Sequence, residues 1–195
     1  EVKNQKSSKE KTDRNHNPGN IDAHWLNISD IDFGKNKTIE IEGYSVQLKC
    51  LNEEQAIKEL KINDPLGCLN ALLTQKIIKI TIPEDSVIEA PIGISCVEPT
   101  YSHKYCSNFR FIIDIKKNSK VSFISFYESN SNESHFSNIV MQINIAKNSD
   151  TEYLKIQNLS ETHNLIDRSI IDLGPGSQIN YTTVDIGAKL SRTDI

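Results

Sequence analysis

Ile80-Thr81-Ile82-Pro83-Glu84-Asp85-Ser86, Ile113-Asp114-Ile115-Lys116-Lys117-Asn118-Ser119, Ile143-Asn144-Ile145-Ala146-Lys147-Asn148-Ser149 and Ile171-Asp172-Leu173-Gly174-Pro175-Gly176-Ser177 lie over one another residue for residue. Each is an apolar-polar-apolar strand, then a turn built from Pro, Gly, Asn and Asp, then a serine. The serines recur at intervals of 33, 30 and 28 residues. Self-similarity at about 30 residues marks a stacked-repeat architecture. The expected fold is mainly β, a right-handed parallel β-helix with coils of about 30 residues. Ile80, Ile113, Ile143 and Ile171 should form one inward ladder, and Ile82, Ile115, Ile145 and Leu173 a second. Thr81, Asp114, Asn144 and Asp172 should stack outside. A β-sandwich also has short strands and frequent turns. Its strands, however, have no reason to repeat turn sequence and aromatic position together.

The match runs past the serine. Val121, Thr151 and Ile179 align, then Phe123, Tyr153 and Tyr181, then Phe126, Ile156 and Val184. The odd spacing between the last two sets, with Ile124 and Leu154 apolar directly after the aromatic, implies a one-residue slip of the inward phase. A slip repeated at one place reads as a corner where the strand turns onto another face.

Upstream of the repeat the pattern changes. Residues 1–20 are rich in Lys, Asn, Ser and Asp without apolar periodicity, which predicts a disordered tail or linker. Residues 21–75 read as a small N-terminal α/β region with two short helices, and 76–195 as the first half of the β-helix, unfinished at Ile195. Within 21–75, Thr38 to Leu48 alternates with period two, as a half-buried strand or hairpin does. Asn52 is placed to cap a helix over Glu53–Leu60 that turns Ala56, Ile57 and Leu60 to one face. Asp64-Pro65 opens a second helix, whose apolar face would be Leu66, Leu69, Leu72 and Leu73 with Ala71 alongside.

Composition narrows the function. The chain is 37% hydrophobic and 25% charged, with net charge -4 and pI near 5.8. That balance gives no general electrostatic reason to expect nucleic acid or an anionic membrane as partner. No apolar run approaches the roughly 18 residues of a membrane span. The chain opens on Glu1, polar and lysine-rich, with no secretory signal and with sequence expected upstream. Cys50, Cys68, Cys96 and Cys106 form no C-x-x-C pair or zinc-like cluster, and read as reduced, mostly buried thiols.

Five passages carry a resemblance. Asp64-Pro65-Leu66-Gly67-Cys68-Leu69-Asn70-Ala71-Leu72, Ile78-Lys79-Ile80-Thr81-Ile82-Pro83, Ile88-Glu89-Ala90-Pro91-Ile92, Gly187-Ala188-Lys189-Leu190-Ser191-Arg192-Thr193-Asp194-Ile195 and His24-Trp25-Leu26-Asn27-Ile28-Ser29-Asp30 occur in one order. Together they resemble the SufB/SufD family of iron-sulfur cluster assembly proteins, its SufD branch more than SufB, over roughly residues 24–195. Cys68 departs from the family's usual alanine. The resemblance implies a scaffold subunit, not an enzyme, that pairs with a SufB-like protein and docks a SufC-like ATPase holding the ATP. It further implies a chain about twice this length, with the partner-binding part beyond Ile195. Cytoplasmic location is expected, with a plastid stroma or apicoplast as alternative. No catalytic, cofactor-binding or metal residue is assigned, and no cofactor is expected on this stretch; the assembled complex handles the cluster.

Chemistry outside the resemblance finds little footing. No phosphate-binding glycine loop is present, and Gly174-Pro175-Gly176 fills the turn slot of Lys116-Lys117-Asn118. His103 and Cys106 share a loop but lack further ligands. Asp114 and Asp172 invite comparison with β-helix polysaccharide lyases and hydrolases, which set carboxylates within about 5–10 Å on one outer face. Here Asn144 separates them by a whole coil, with no basic residue evident beside them. A solvated polar ladder is the plainer reading. A purely structural β-solenoid is the remaining alternative.

Overall fold

The computed structural model of the chain describes residues 21–27, 36–61, 64–74, 77–97, 104–129 and 132–195. The tail expected over 1–20 lies outside these residues. The described elements are β1 (His24–Asn27), β2 (Lys37–Ile41), β3 (Tyr44–Leu51), α1 (Glu53–Glu59), α2 (Pro65–Leu73), β4 (Ile77–Ile82), β5 (Ile92–Val97), β6 (Tyr105–Ile115), β7 (Lys120–Ser129), β8 (His135–Ile145), β9 (Asp150–Leu159), β10 (His163–Leu173), β11 (Gln178–Gly187) and β12 (Leu190–Asp194). From β4 onward the chain alternates between two sheets, ordered β1-β5-β7-β9-β11 and β12-β10-β8-β6-β4-β3-β2. Neighbours among β4 to β12 pair in parallel. Four coils stack as a β-solenoid, with β12 beginning the next. Long parallel pairing between successive repeats excludes the sandwich. At the other end β1 pairs in parallel with β5, while the β2–β3 hairpin lies antiparallel on β4.

The backbone explains why the turn repeats. Asp85, Asn118 and Asn148 have φ of 57°, and Gly176 has 69°. That is the left-handed region, which Asp, Asn and Gly enter at least cost. The serine that follows then reaches back one coil. Ser119 Oγ donates to Pro83 O and Ser149 Oγ to Lys116 O, both at 2.8 Å. The same hydroxyls accept from Ser86 N at 3.4 Å and Ser119 N at 3.1 Å. This hydrogen-bonding unit is copied at Ser119 and Ser149, while Ser177 Oγ at the last coil turns to Gly174 O of its own turn.

Both isoleucine ladders form in the expected register, Ile80 to Ile113 to Ile143 to Ile171 and Ile82 to Ile115 to Ile145 to Leu173. They are buried except at the last coil, where Ile171 is half-buried and Leu173 exposed. The expected corner does not occur. β7 and β9 are unbroken strands of 10 residues. Val121, Phe123, Ser125, Tyr127 and Ser129 all point inward, as do Thr151, Tyr153, Lys155, Gln157 and Leu159. Phe126 and Ile156 are outward residues, so the phase never slips.

The helices start where capping chemistry places them. Asn52 and Gln55 make a reciprocal capping box, and Asp64 accepts from Leu66 N and Gly67 N with Pro65 at the first turn. Their faces differ from expectation. α1 buries Ala56 and part-buries Leu60 against Leu51, Ile77 and Ile112, while Ile57 is exposed. α2 buries Gly67 and Asn70 and leaves Leu69, Leu72 and Leu73 outward. The outer face of the second sheet is the cause. Arg110 and Gln142 project from it and are buried, so each needs polar partners. Asn70 Nδ2 donates to Phe109 O (3.1 Å) and Asn138 O (2.8 Å). Arg110 donates to Lys61 O (3.0 Å), Gly67 O (3.4 Å) and Asn70 Oδ1 (3.3 Å). Gln142 bonds Glu59 O and Lys61 N. Meeting these groups outweighs burying leucines. The cysteines are free, but only Cys96 is buried; Cys68 and Cys106 are exposed.

Candidate functional site

Inside the solenoid, side-chain polarity rises from coil to coil. One inward column reads Ile94, Ser125, Lys155, Thr183, and the next reads Cys96, Tyr127, Gln157, Asp185. Across the interior, Phe109 and Ile139 give way to Asp167, and Phe111 and Met141 to Ser169. The first coils thus enclose hydrocarbon and the later ones a polar seam.

Lys155 is the centre of that seam. Its side chain is 0% exposed and that of Asp167 is 2%. Its Nζ lies 3.0 Å from Asp167 Oδ2, 3.1 Å from Asp185 Oδ1 and 2.7 Å from Thr193 Oγ1. Two ion pairs and one hydrogen bond at this ammonium tie together β9, β10, β11 and β12. Burial pushes the Asp167 carboxyl above its ordinary value, against the pull of Lys155. Burial also pushes the Tyr127, Tyr153 and Tyr181 hydroxyls up. These phenols remain protonated at neutral pH. Tyr153 bonds Ser125 and Tyr181 bonds Ser169 (2.8 Å).

A second polar group lies at the first residues of β6, β8 and β10. Tyr105, His135 and His163 share one register position, with the two imidazoles stacked at 5.9 Å. Ser137 Oγ bonds His163 Nε2 at 2.9 Å and Ser107 Oγ at 2.7 Å. Both ring nitrogens of His135 are buried without a hydrogen-bond partner among the described residues. Cys96, Phe109, Tyr127, Ser137, Leu159 and His163 line a small adjoining cavity with room for about one water-sized molecule. Among the described residues no group of three or more His, Cys, Asp and Glu is set to hold a metal ion. The arrangement holds buried charge and polar groups in fixed positions inside the coils.

The residues weighed from sequence sit elsewhere. Thr81, Asp114, Asn144 and Asp172 do stack on the outside, but the ladder is more than solvated polar surface, and basic residues do stand beside it. Asp114 accepts from Asn144 Nδ2 (2.7 Å) and pairs with Lys79 (2.9 Å) and Lys116 (3.7 Å). Lys61 pairs with Asp172 and donates to Asn144 at 3.1 Å. Both carboxylates are bound in ion pairs that also fasten Lys61, and through Lys79 the Glu59 of α1, to the sheet. Gly174-Pro175-Gly176 is a turn. Cys106 is exposed beside Asn108, and His103 lies outside the described residues. The seam itself went unread from sequence. Keeping the period-two phase from Val121 through Phe123 would have placed Ser125, Lys155 and Thr183 inside.

A profile of the family described as SUF system FeS cluster assembly, SufBD core domain, matches residues 100–195. Through this domain the chain belongs to the SufB/SufD family. Its role therefore lies in iron-sulfur cluster assembly by the SUF system. The matched residues begin just ahead of β6 and take in every coil whose interior is polar, so Lys155, Asp167, His135 and His163 all belong to the SufBD core. No curated protein and no solved structure matches the chain. Among the described residues no helix is long and apolar enough to cross a membrane.

Proposed function

We propose that the chain is a SufD-like scaffold subunit of a SUF assembly complex, working in the cytoplasm or in a plastid of the same chemistry. It pairs with a SufB-like subunit and docks a SufC-like ATPase, which holds the ATP. The cluster is cargo of the complex, and this stretch contributes structure. The observation that carries the reading is the SufBD core match laid over continuous parallel coils. The ion-paired state of Asp114 and Asp172 supports it against polysaccharide cleavage, which needs one carboxyl free to give a proton.

Complementation tests the reading. In cells lacking the protein, the full-length chain should restore maturation of an iron-sulfur reporter enzyme. Asp114→Asn and Asp172→Asn variants should restore it equally. Failure of the unaltered chain, or loss of function in the two variants, would count against a scaffold.

A further inference from the structure

We propose that Lys155 and Asp167 are a self-modification site, where an isopeptide bond forms between Lys155 Nζ and Asp167 Cγ with Asp185 accepting the proton. Among the described residues Lys155 is the only buried lysine. It points inward from β9, and Asp167 points inward from β10 in the facing sheet. Nζ lies 3.0 Å from Asp167 Oδ2, and Cγ is bonded directly to that oxygen. An amine and a carboxyl held this close react as one molecule, with effective concentrations that reach about 10⁵–10⁸ M for well-oriented pairs.

The surroundings prepare both partners. Neither oxygen of Asp167 has a hydrogen bond of good geometry among the described residues, so no amide or hydroxyl fixes it as a carboxylate. Burial favours the neutral acid against the pull of Lys155. That neutral form is the electrophile an amine can attack. A lysine becomes a nucleophile only when its ammonium has lost a proton. Asp185 Oδ1 stands 3.1 Å from the same Nζ, and its side chain is 33% exposed. It can therefore take that proton and release it to water.

The atoms balance without a co-reactant. The ammonium of Lys155 gives one proton to Asp185, and the nitrogen lone pair attacks Asp167 Cγ. In the tetrahedral adduct a second nitrogen proton moves to a hydroxyl, the C–O bond breaks and water leaves. Ammonium and carboxylic acid thus become an amide, one water and one proton, the last released through Asp185. In open water hydrolysis wins. Here the amide replaces a buried ammonium and a buried carboxyl, whose loss of hydration the interior penalises. The ion pair is the reactant of this step. Loss of the ammonium proton makes the step slow, so ion-paired and linked molecules coexist. The link ties the two sheets together at the coil where polar side chains replace hydrocarbon.

Intact-mass measurement and tryptic mapping of the purified full-length protein test this. In the linked fraction trypsin should fail to cut after Lys155, leaving residues 148–168 as one peptide that is lighter by one water than its sequence. That fraction should grow while folded protein is incubated at neutral pH, and stay constant in urea. Lys155→Arg, which keeps the charge, should hold its full mass throughout. Asp185→Asn should slow the growth by about 100-fold or more. The unaltered protein decides the matter by itself if a variant does not fold. Complete cleavage after Lys155 with no missing water, even after prolonged incubation, would overturn the proposal. So would a missing water with normal cleavage after Lys155, the mark of a succinimide. A link that fragmentation places on Asp185, or an unchanged rate in Asp185→Asn, would overturn it equally.

Discussion

Replacing Lys155 by methionine, nearly its equal in length and volume, would remove one charge from the seam and leave two carboxylates behind. Asp167 is almost wholly enclosed, and Asp185 keeps about a third of its side-chain surface. Breaking a buried pair by removing one partner costs about 3–5 kcal/mol, because the remaining charge is stranded. Asp185 can turn to water, so the penalty falls chiefly on Asp167. Urea unfolding at pH 7 reads it directly: with a slope of about 2 kcal/mol/M, a loss of about 4 kcal/mol moves the midpoint by about 2 M. A second substitution should rescue the first. Lys155→Met/Asp167→Leu removes both buried charges and should recover more than half of the loss. The deficit should also shrink in acid. Asp167 has a raised folded pKa, so its ionised form costs stability at pH above that value and the cost vanishes below the ordinary carboxylate value. A loss under about 1 kcal/mol, a double variant no better than the single one, or a deficit independent of pH would refute the seam as a buried ion-pair network.

Two further outcomes follow from the turn and the outer face. Asn148→Val places a β-branched residue at a φ of 57° and should cost about 1–3 kcal/mol in urea unfolding, whereas Asn148→Gly should change stability little. The acid limb should be set by Glu42, Asp64 and Asp114. Glu42 is held low by the Glu89 and Ala90 amides beside it. Burial pushes Asp64 and Asp114 up, but the Gly67 amide and Arg168 for the first, and Asn144 and Lys79 for the second, outweigh it and hold both low. Their contribution is complete above the ordinary carboxylate value and is lost as pH falls through the lowered folded values. Urea midpoints measured from pH 6 down to pH 3 should therefore drop, and Asp114→Asn should flatten part of that drop.

The repeat was legible because its information is local. A left-handed turn position admits Asp85, Asn118, Asn148 or Gly176 and little else, and the strand before it shows its isoleucines at every second residue. Helix caps were legible for the same reason, with Asn52 and Asp64 bonding amides two or three residues away. What failed was whatever depended on a distant surface. The faces of α1 and α2 were assigned by assuming that leucine goes inward. Arg110, Gln142 and the Phe109 and Asn138 carbonyls decide otherwise, and only folding brings them to Asn70 and to the end of α1. The inward phase of β7 and β9 was misjudged because Lys155 and Ser125 look like surface residues until Asp167 is brought opposite. Phe126 and Ile156 look like core residues until the strand proves straight. The charged ladder was seen as open to solvent because Lys61 and Lys79, remote in sequence from Asp114, become its neighbours only on folding.

The proposed role of this solenoid is that of a scaffold subunit in a SUF complex. Native mass spectrometry of the full-length protein, produced together with SufB-like and SufC-like proteins, tests it most directly. One particle containing all three is expected. A protein that stays apart from both partners, alone or as concentration-dependent filaments of itself, would contradict it.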